Sequence, residues 1–162
     1  MNHLFVENQF PVLAFPPASS PAGTEDYVSM KGAARMVVII AVDNASTVTA
    51  LTVTLKQHNT TIAATGEKAL EFDWVYVNSD AGASDTLVKT AVTSDTFDTS
   101  TTDNKNLLYV IPIEASMLDV ANNFDCVRVD VTGNANSVAA GLYVMEGIRY
   151  KGGLPRQSFI TD

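Results

Sequence analysis

One cysteine, two histidines, one tryptophan and ten basic residues are all that 162 positions supply of those types. The lone Cys126 leaves no internal disulfide possible, which fits assembly in a reducing compartment. A catalytic thiolate would want a nearby histidine, and neither His3 nor His58 lies in a recognisable motif. Cys126, alternating with Arg128 and Asp130 along a strand, therefore reads as a small buried thiol. His58 reads as a surface residue, because no second His or Cys is close enough in sequence to complete a metal set. No glycine-rich phosphate loop, CxxC pair, HExxH or GxSxG is present. No uninterrupted apolar run approaches the roughly 20 residues of a membrane-spanning helix, and Met1–Glu7 does not read as a secretory signal, so use without export by that route is expected. Basic residues are outnumbered, 10 against 18 acidic, for a net charge of −8. Such a chain is repelled by nucleic acid. The expectation is no enzyme, no cofactor, no metal, no nucleic-acid partner and no membrane partner.

What the chain does contain is strand pattern. Met36–Val42 is a continuous apolar, β-branched run, the composition of a strand covered on both faces. Asp43-Asn44-Ala45-Ser46 reads as a turn. Leu51, Val53 and Leu55 then alternate with Thr52, Thr54 and Lys56, so Met36–Gln57 is expected to be an antiparallel hairpin with one dry and one wet face. Ala69–Asn78 follows as a strand with Phe72, Trp74 and Tyr76 on one face, either core or a stacking platform for a sugar or a base. Glu71 and Asp73 share the other face at about 7 Å, a spacing a glycosidase pair can use and a wet surface supplies just as readily. Asn78–Asp85 is a loop whose acidic spacing does not match a calcium site. Thr86–Val92, a fragment around Phe97, Leu107–Ile113, Cys126–Thr132 and Ser137–Met145 complete the strands. Pro112 marks a strand end or edge, Ala115–Val120 allows one helical turn, and Gly133–Asn136 is a hairpin loop. About eight short strands with almost no helix predict an all-β antiparallel sandwich of jelly-roll type.

The ends differ from this body. Residues 1–27 read as an extended arm, 28–150 as the sandwich and 151–162 as a tail with a Gly152-Gly153 pivot. The arm ends in Phe15-Pro16-Pro17-Ala18-Ser19-Ser20-Pro21, where prolines remove donors and favour an extended path. Phe5, Phe10 and Phe15 are costly in water, at about 1.5–3 kcal/mol each, so they cover the domain's own core or dock on a partner. From Gly66 to Asp130 only Lys68, Lys89, Lys105 and Arg128 offset a long series of acidic residues, whereas the tail brings Arg149, Lys151 and Arg156. An acidic body and a basic tail can pair between neighbouring copies, or simply be solvated.

Three stretches carry a family resemblance: Leu107–Val120 (LLYVIPIEASMLDV), Asn123–Val129 (NFDCVRV) and Leu142–Tyr150 (LYVMEGIRY). Together with Val53–Gln57 and Ala69–Val77, over roughly Met30 to Tyr150, the chain resembles small β-rich structural proteins of tailed bacteriophages, the head decoration or cement proteins. The resemblance implies a jelly-roll module on the outside of a capsid, bound to major capsid protein and to copies of itself as a dimer or trimer. It implies a location on the virion after assembly in bacterial cytoplasm, and it brings no catalytic residues. Phe5, Phe10, Phe15, Arg149, Lys151 and Arg156 are the expected partner-binding residues. Two other roles stay open: a tail-tube or head–tail joining protein, and a carbohydrate-binding module centred on Trp74.

Overall fold

A computed structural model describes residues 9–19, 26–60, 66–133 and 136–148. Its strands are β1 (Phe10–Ser19), β2 (Val28–Ser29), β3 (Arg35–Asn44), β4 (Thr52–His58), β5 (Lys68–Ala69), β6 (Phe72–Asn78), β7 (Val88–Ser94), β8 (Thr96–Asp98), β9 (Asn106–Glu114), β10 (Cys126–Thr132) and β11 (Ser137–Glu146). Seven of the eight expected strands are β3, β4, β6, β7, β9, β10 and β11, the eighth, around Phe97, is the short β8, and β1, β2 and β5 add to the expected set. Two single-turn 3-10 helices, Ala115–Met117 and Val120–Asn122, stand where one helical turn is predicted.

The strands form two antiparallel sheets. The larger runs β1-β11-β3-β9-β6-β7 and the smaller β2-β10-β4-β5, with β8 also on β4. Setting aside the β6–β7 hairpin, which widens the larger sheet, the order β1-β11-β3-β9 faces β2-β10-β4 with β5 and β8 sharing the last place. Two interleaved Greek keys produce that order, so the sandwich is a jelly roll.

This order corrects two local expectations. β3 and β4 are not a hairpin: β3 pairs with β11 and β9, whereas β4 pairs with β10. Gly133–Asn136 likewise joins strands of opposite sheets. Alternation is preserved, but the dry faces meet across the sandwich, where Val38, Ile40 and Val42 share one core with Leu51, Val53 and Leu55. The crossing after β3 is fixed by the buried Asn44. Its amide donates to Ser100 O at 3.0 Å and Thr102 O at 3.1 Å, and its Oδ1 accepts from Ser137 Oγ at 2.9 Å.

The expected boundary at residue 27 also moves. Phe10–Ser19 is the edge strand β1, paired with β11. Phe15 is buried and Phe10 packs against the core. Phe15 lies against Gly141, where a Cβ would stand 2.3 Å from the Phe15 ring, so the small residues of β11 make room for it. Pro11, Pro16 and Pro17 fall on an edge, the place in a sheet where a missing donor is tolerated. Pro112 lies inside β9, but the β6–β9 ladder ends at Tyr76↔Val110, one pleat short of it.

The core closes around two buried tyrosines. β2 begins at Val28, opposite Val127, so β10 has no strand partner on that side beyond Val127. Tyr143, from the opposite sheet, supplies the next rung: its hydroxyl accepts from Val129 N–H at 2.9 Å and donates to Asp26 O at 3.3 Å. Tyr109 accepts from Ser100 N–H at 2.8 Å. Removing the Tyr143 hydroxyl leaves a buried donor bare. Tyr143→Phe is therefore expected to lower unfolding stability by about 1–3 kcal/mol, read as a shift in the urea midpoint at unchanged slope. An unshifted midpoint would show that the rung carries no weight.

Candidate functional site

The outer face of the larger sheet follows from the pleat. Along β3 the buried Met36, Val38, Ile40 and Val42 alternate with Arg35, Val37, Ile39, Ala41 and Asp43, which point away from the core. Registers carry each outward residue into a cross-strand row. One row reads Leu13–Leu142–Ile39–Val110–Tyr76 before reaching Lys89 on β7. The next reads Pro11–Val144–Val37–Pro112, and the third Ala140–Ala41–Leu108. None of these three rows holds a charge between β1 and β9. Charges stand at the two ends, with Glu146–Arg35–Glu114 at one and Asp43 at the other. Leu13 is 52% exposed and Leu142 41%. Each outward side chain in these rows takes about 4.8 Å across the strands and about 6.6 Å along them, so the three rows make a face of roughly 400 Å². That lies within the roughly 300–600 Å² of the largest apolar patch on a monomer, a patch that is often functional.

Trp74 extends this face. A bulge between Phe72 and Trp74 breaks the expected aromatic row, sending Phe72 into the core and leaving Trp74 43% exposed. Lys89 Nζ lies 3.9 Å from the Trp74 ring centroid, so one face of the indole carries a cation.

The outer face of the smaller sheet is sealed instead. Lys56 and Arg128 are cross-strand partners on β4 and β10. Lys56 Nζ pairs with Glu67 Oε2 at 2.9 Å and with Asp130 Oδ2 at 2.8 Å. Arg128 reaches Glu67 Oε1 at 3.0 Å and Asp130 Oδ1 at 2.6 Å, and its guanidinium stacks 4.8 Å from the Tyr27 ring. Burial is the largest influence on Glu67 and alone would raise its carboxyl. Lys56, the Tyr27 hydroxyl beside it and the Arg128 charge outweigh burial and hold it below the usual carboxylate range. Burial, then the neighbouring Glu67, pushes the Tyr27 phenol well above its ordinary value. Two cations against two anions make the cluster neutral, and its geometry ties the strand edges to Glu67 and Tyr27. It offers charge pairing and no free nucleophile.

His58 is a correction: it is buried, tilted against the Tyr27 ring at 5.2 Å, with Nδ1 accepting from Thr60 N–H at 3.0 Å. Its register partner is Cys126. That thiol is buried as expected, donates to Asp125 Oδ1 at 3.1 Å and is pushed up to about 12, by burial first and by Asp125 second. It stays protonated at neutral pH, so the pairing does not make a thiolate nucleophile. Glu71 and Asp73 are exposed and line an open groove of about 430 Å³ together with Gln57, Ala69, Phe72 and Met117. The Gln57 amide is taken up by Ala69 O at 2.9 Å and Asp119 N–H at 2.8 Å. Among the described residues no group of three or more His, Cys, Asp or Glu is placed to hold a metal ion, and no helix is long and apolar enough to cross a membrane. Phe5, Arg149, Lys151 and Arg156 lie outside the described residues. Phe15 is buried in the core and Phe10, partly buried, packs against it. The apolar outer face had a signal in the sequence, the unbroken run Met36–Val42, but the cover for its second side is not supplied by the described chain.

No protein-family model and no curated protein matches the chain. Among solved structures, it is similar to the SPBc2 prophage-derived protein YomS, with a TM-score of 0.45 and 13% identity over 86% of this chain and 94% of that one.

The charge cluster has a pH signature. Glu67 is held below its ordinary value of 4.5, so its contribution to stability is full above that pH and is lost as the pH falls through the lower folded value. Urea midpoints are expected to fall between about pH 5 and pH 3, and Glu67→Gln to flatten part of that slope. Equal slopes in the two proteins would remove Glu67 from the acid response.

Proposed function

We propose that the chain is a structural subunit of a tailed-phage particle that binds the outside of the capsid and stabilises contacts between major capsid protein subunits. The observation that carries this reading is the roughly 400 Å² apolar outer face of the larger sheet, uncharged across three rows and bounded by charged residues at both ends. A face of that kind suits adhesion. The sites that chemistry would need are used up elsewhere: the thiol is protonated, the histidine ring is enclosed, and the charge cluster is internally neutralised. The resemblance to decoration proteins supplies the particle, and repeated weak contacts over many copies supply strength through avidity. The exposed Trp74 favours a second reading as a carbohydrate-binding module, although Lys89 already occupies one face of its ring.

The ends remain the proposed grips on the shell, and the fold dictates how to test them. Deleting residues 1–26 would remove β1 and Phe15 from the sandwich, so the informative deletions are 1–8 and 149–162. The full chain is expected to co-purify with intact particles at a copy number near that of the shell protein, and each deletion to lower its loading. Label along the tail instead of the head would favour the tail-tube or joining role. Absence from particles, with glycan binding lost in Trp74→Ala at unchanged fold, would establish the carbohydrate reading in its place.

A further inference from the structure

We infer that the apolar outer face of the larger sheet is the interface of a two-fold homodimer, centred on Ile39. This rests on reading the face as an adhesive surface, and it names the partner as a second copy of the chain.

The outward side chains of β3 run in the order Arg35, Val37, Ile39, Ala41, Asp43. The series is complementary to its own reverse. A two-fold axis lying in the interface, perpendicular to the strands, sets one β3 over the other in the opposite direction. Ile39 then meets Ile39 of the partner subunit, Val37 meets the partner's Ala41, and Arg35 meets the partner's Asp43 at both ends. A two-fold contact requires such self-complementarity, because the same patch serves on both sides. Arg35 is free to take part. Its pair with Glu114 spans 3.6 Å with both side chains more than half exposed, a contact worth little in water.

Three further observations favour a second copy. Each chain carries a net charge of −8, so two copies meet at least electrostatic cost where charges are absent, and these three rows are such a place. The apolar face of roughly 400 Å² is the size of the dry centre of a standard interface of roughly 800 Å² per partner, with the charged ends as its rim. Edge-to-edge association through β1 is discouraged by Pro11, Pro16, Pro17 and two register shifts, which leaves stacking of sheet on sheet.

The test uses the purified full chain in sedimentation equilibrium. The expected mass is twice the 17.3 kDa of one chain. Leu142→Asp places a carboxylate in the central row and is expected to give monomer with an unchanged circular dichroism spectrum. Val120→Asp, on an exposed 3-10 turn away from the face, is expected to leave the dimer intact. Arg35→Asp and Asp43→Arg should each weaken the dimer by about tenfold through like-charge contacts, and the double variant should recover most of that loss. Since Arg35 and Asp43 are exposed, none of these changes threatens the core. A monomeric full chain at high micromolar concentration would overturn the inference, whether a tail of the same chain or the shell covers the face. A dimer indifferent to Leu142→Asp, or a double reversal no better than the singles, would overturn it as well. Particle binding is a separate readout: a monomer that still loads onto shells refutes the dimer and keeps the adhesive role. A dimer absent from particles does the reverse.

Discussion

Strand β3 is apolar on both sides and has only one sheet to lie against. Everything else in the architecture answers that constraint. Its inner residues, Met36 to Val42 in alternation, meet the smaller sheet and build the core. Its position between β11 and β9 satisfies its backbone on both edges. Val37, Ile39 and Ala41 remain on the far side, continued by neighbours from β1 to β6. Leaving such a surface in water forfeits about 25 cal/mol per Å². A sequence that needed only a stable sandwich would alternate apolar and polar residues here, as β4 does with Thr52, Thr54 and Lys56.

The contrast between the two outer faces sharpens the point. On the smaller sheet the outward positions of β4 and β10 are charged, and the chain folds Glu67 and Tyr27 over them so that the ions neutralise one another. A half-buried cluster of this kind adds little net stability, because desolvation opposes attraction. What it adds is placement, holding Glu67 against β4 and β10 and keeping that face from binding anything apolar. One sheet is closed by its own loops and the other is presented. The molecule thus has a direction, which an adhesive module needs and a simple two-layer domain does not.

Much of this was legible in the sequence. Alternation or an unbroken apolar run located seven of the eight long strands, all but β1, and the jelly roll followed from strand count, turn spacing and lack of helix. Met36–Val42 announced a strand needing cover on both faces. Partnership was less legible. The links 43–51 and 133–136 look like hairpin loops, and loop composition does not reveal whether a chain turns back beside itself or crosses to the facing sheet. Here the crossing depends on Asn44 binding carbonyls more than 50 residues away. The parting of Phe72 from Trp74 and Tyr76 depends on one bulge, where a single inserted residue reverses which side chains face the core. His58 gave no hint of burial, because its cover comes from Tyr27 and Gly66, neither adjacent in sequence. The arm was misjudged at Phe10–Ser19 because prolines and bulges hide the period of an edge strand.

An exposed apolar sheet ordinarily invites unlimited aggregation, and the construction of this one shows how that is avoided. Its edges are unattractive: β1 is interrupted by proline, and beyond it the sheet offers no regular ladder to extend. At β7 the opposite edge carries Lys89 and threonines instead of a flat apolar row. The face itself is bounded along the strands by Arg35 with its acidic neighbours and by Asp43, so a second sheet has little freedom to slide. A stack in register with the two-fold axis satisfies both ends at once. A stack shifted by one pleat along β3 sets Arg35 over alanine and loses a charge pair at each end. Because a two-fold contact uses the same patch on both partners, forming it leaves no apolar row free for a third copy. In the proposed dimer association ends at two, and the charge-paired outer face of the smaller sheet is what the pair then turns outward.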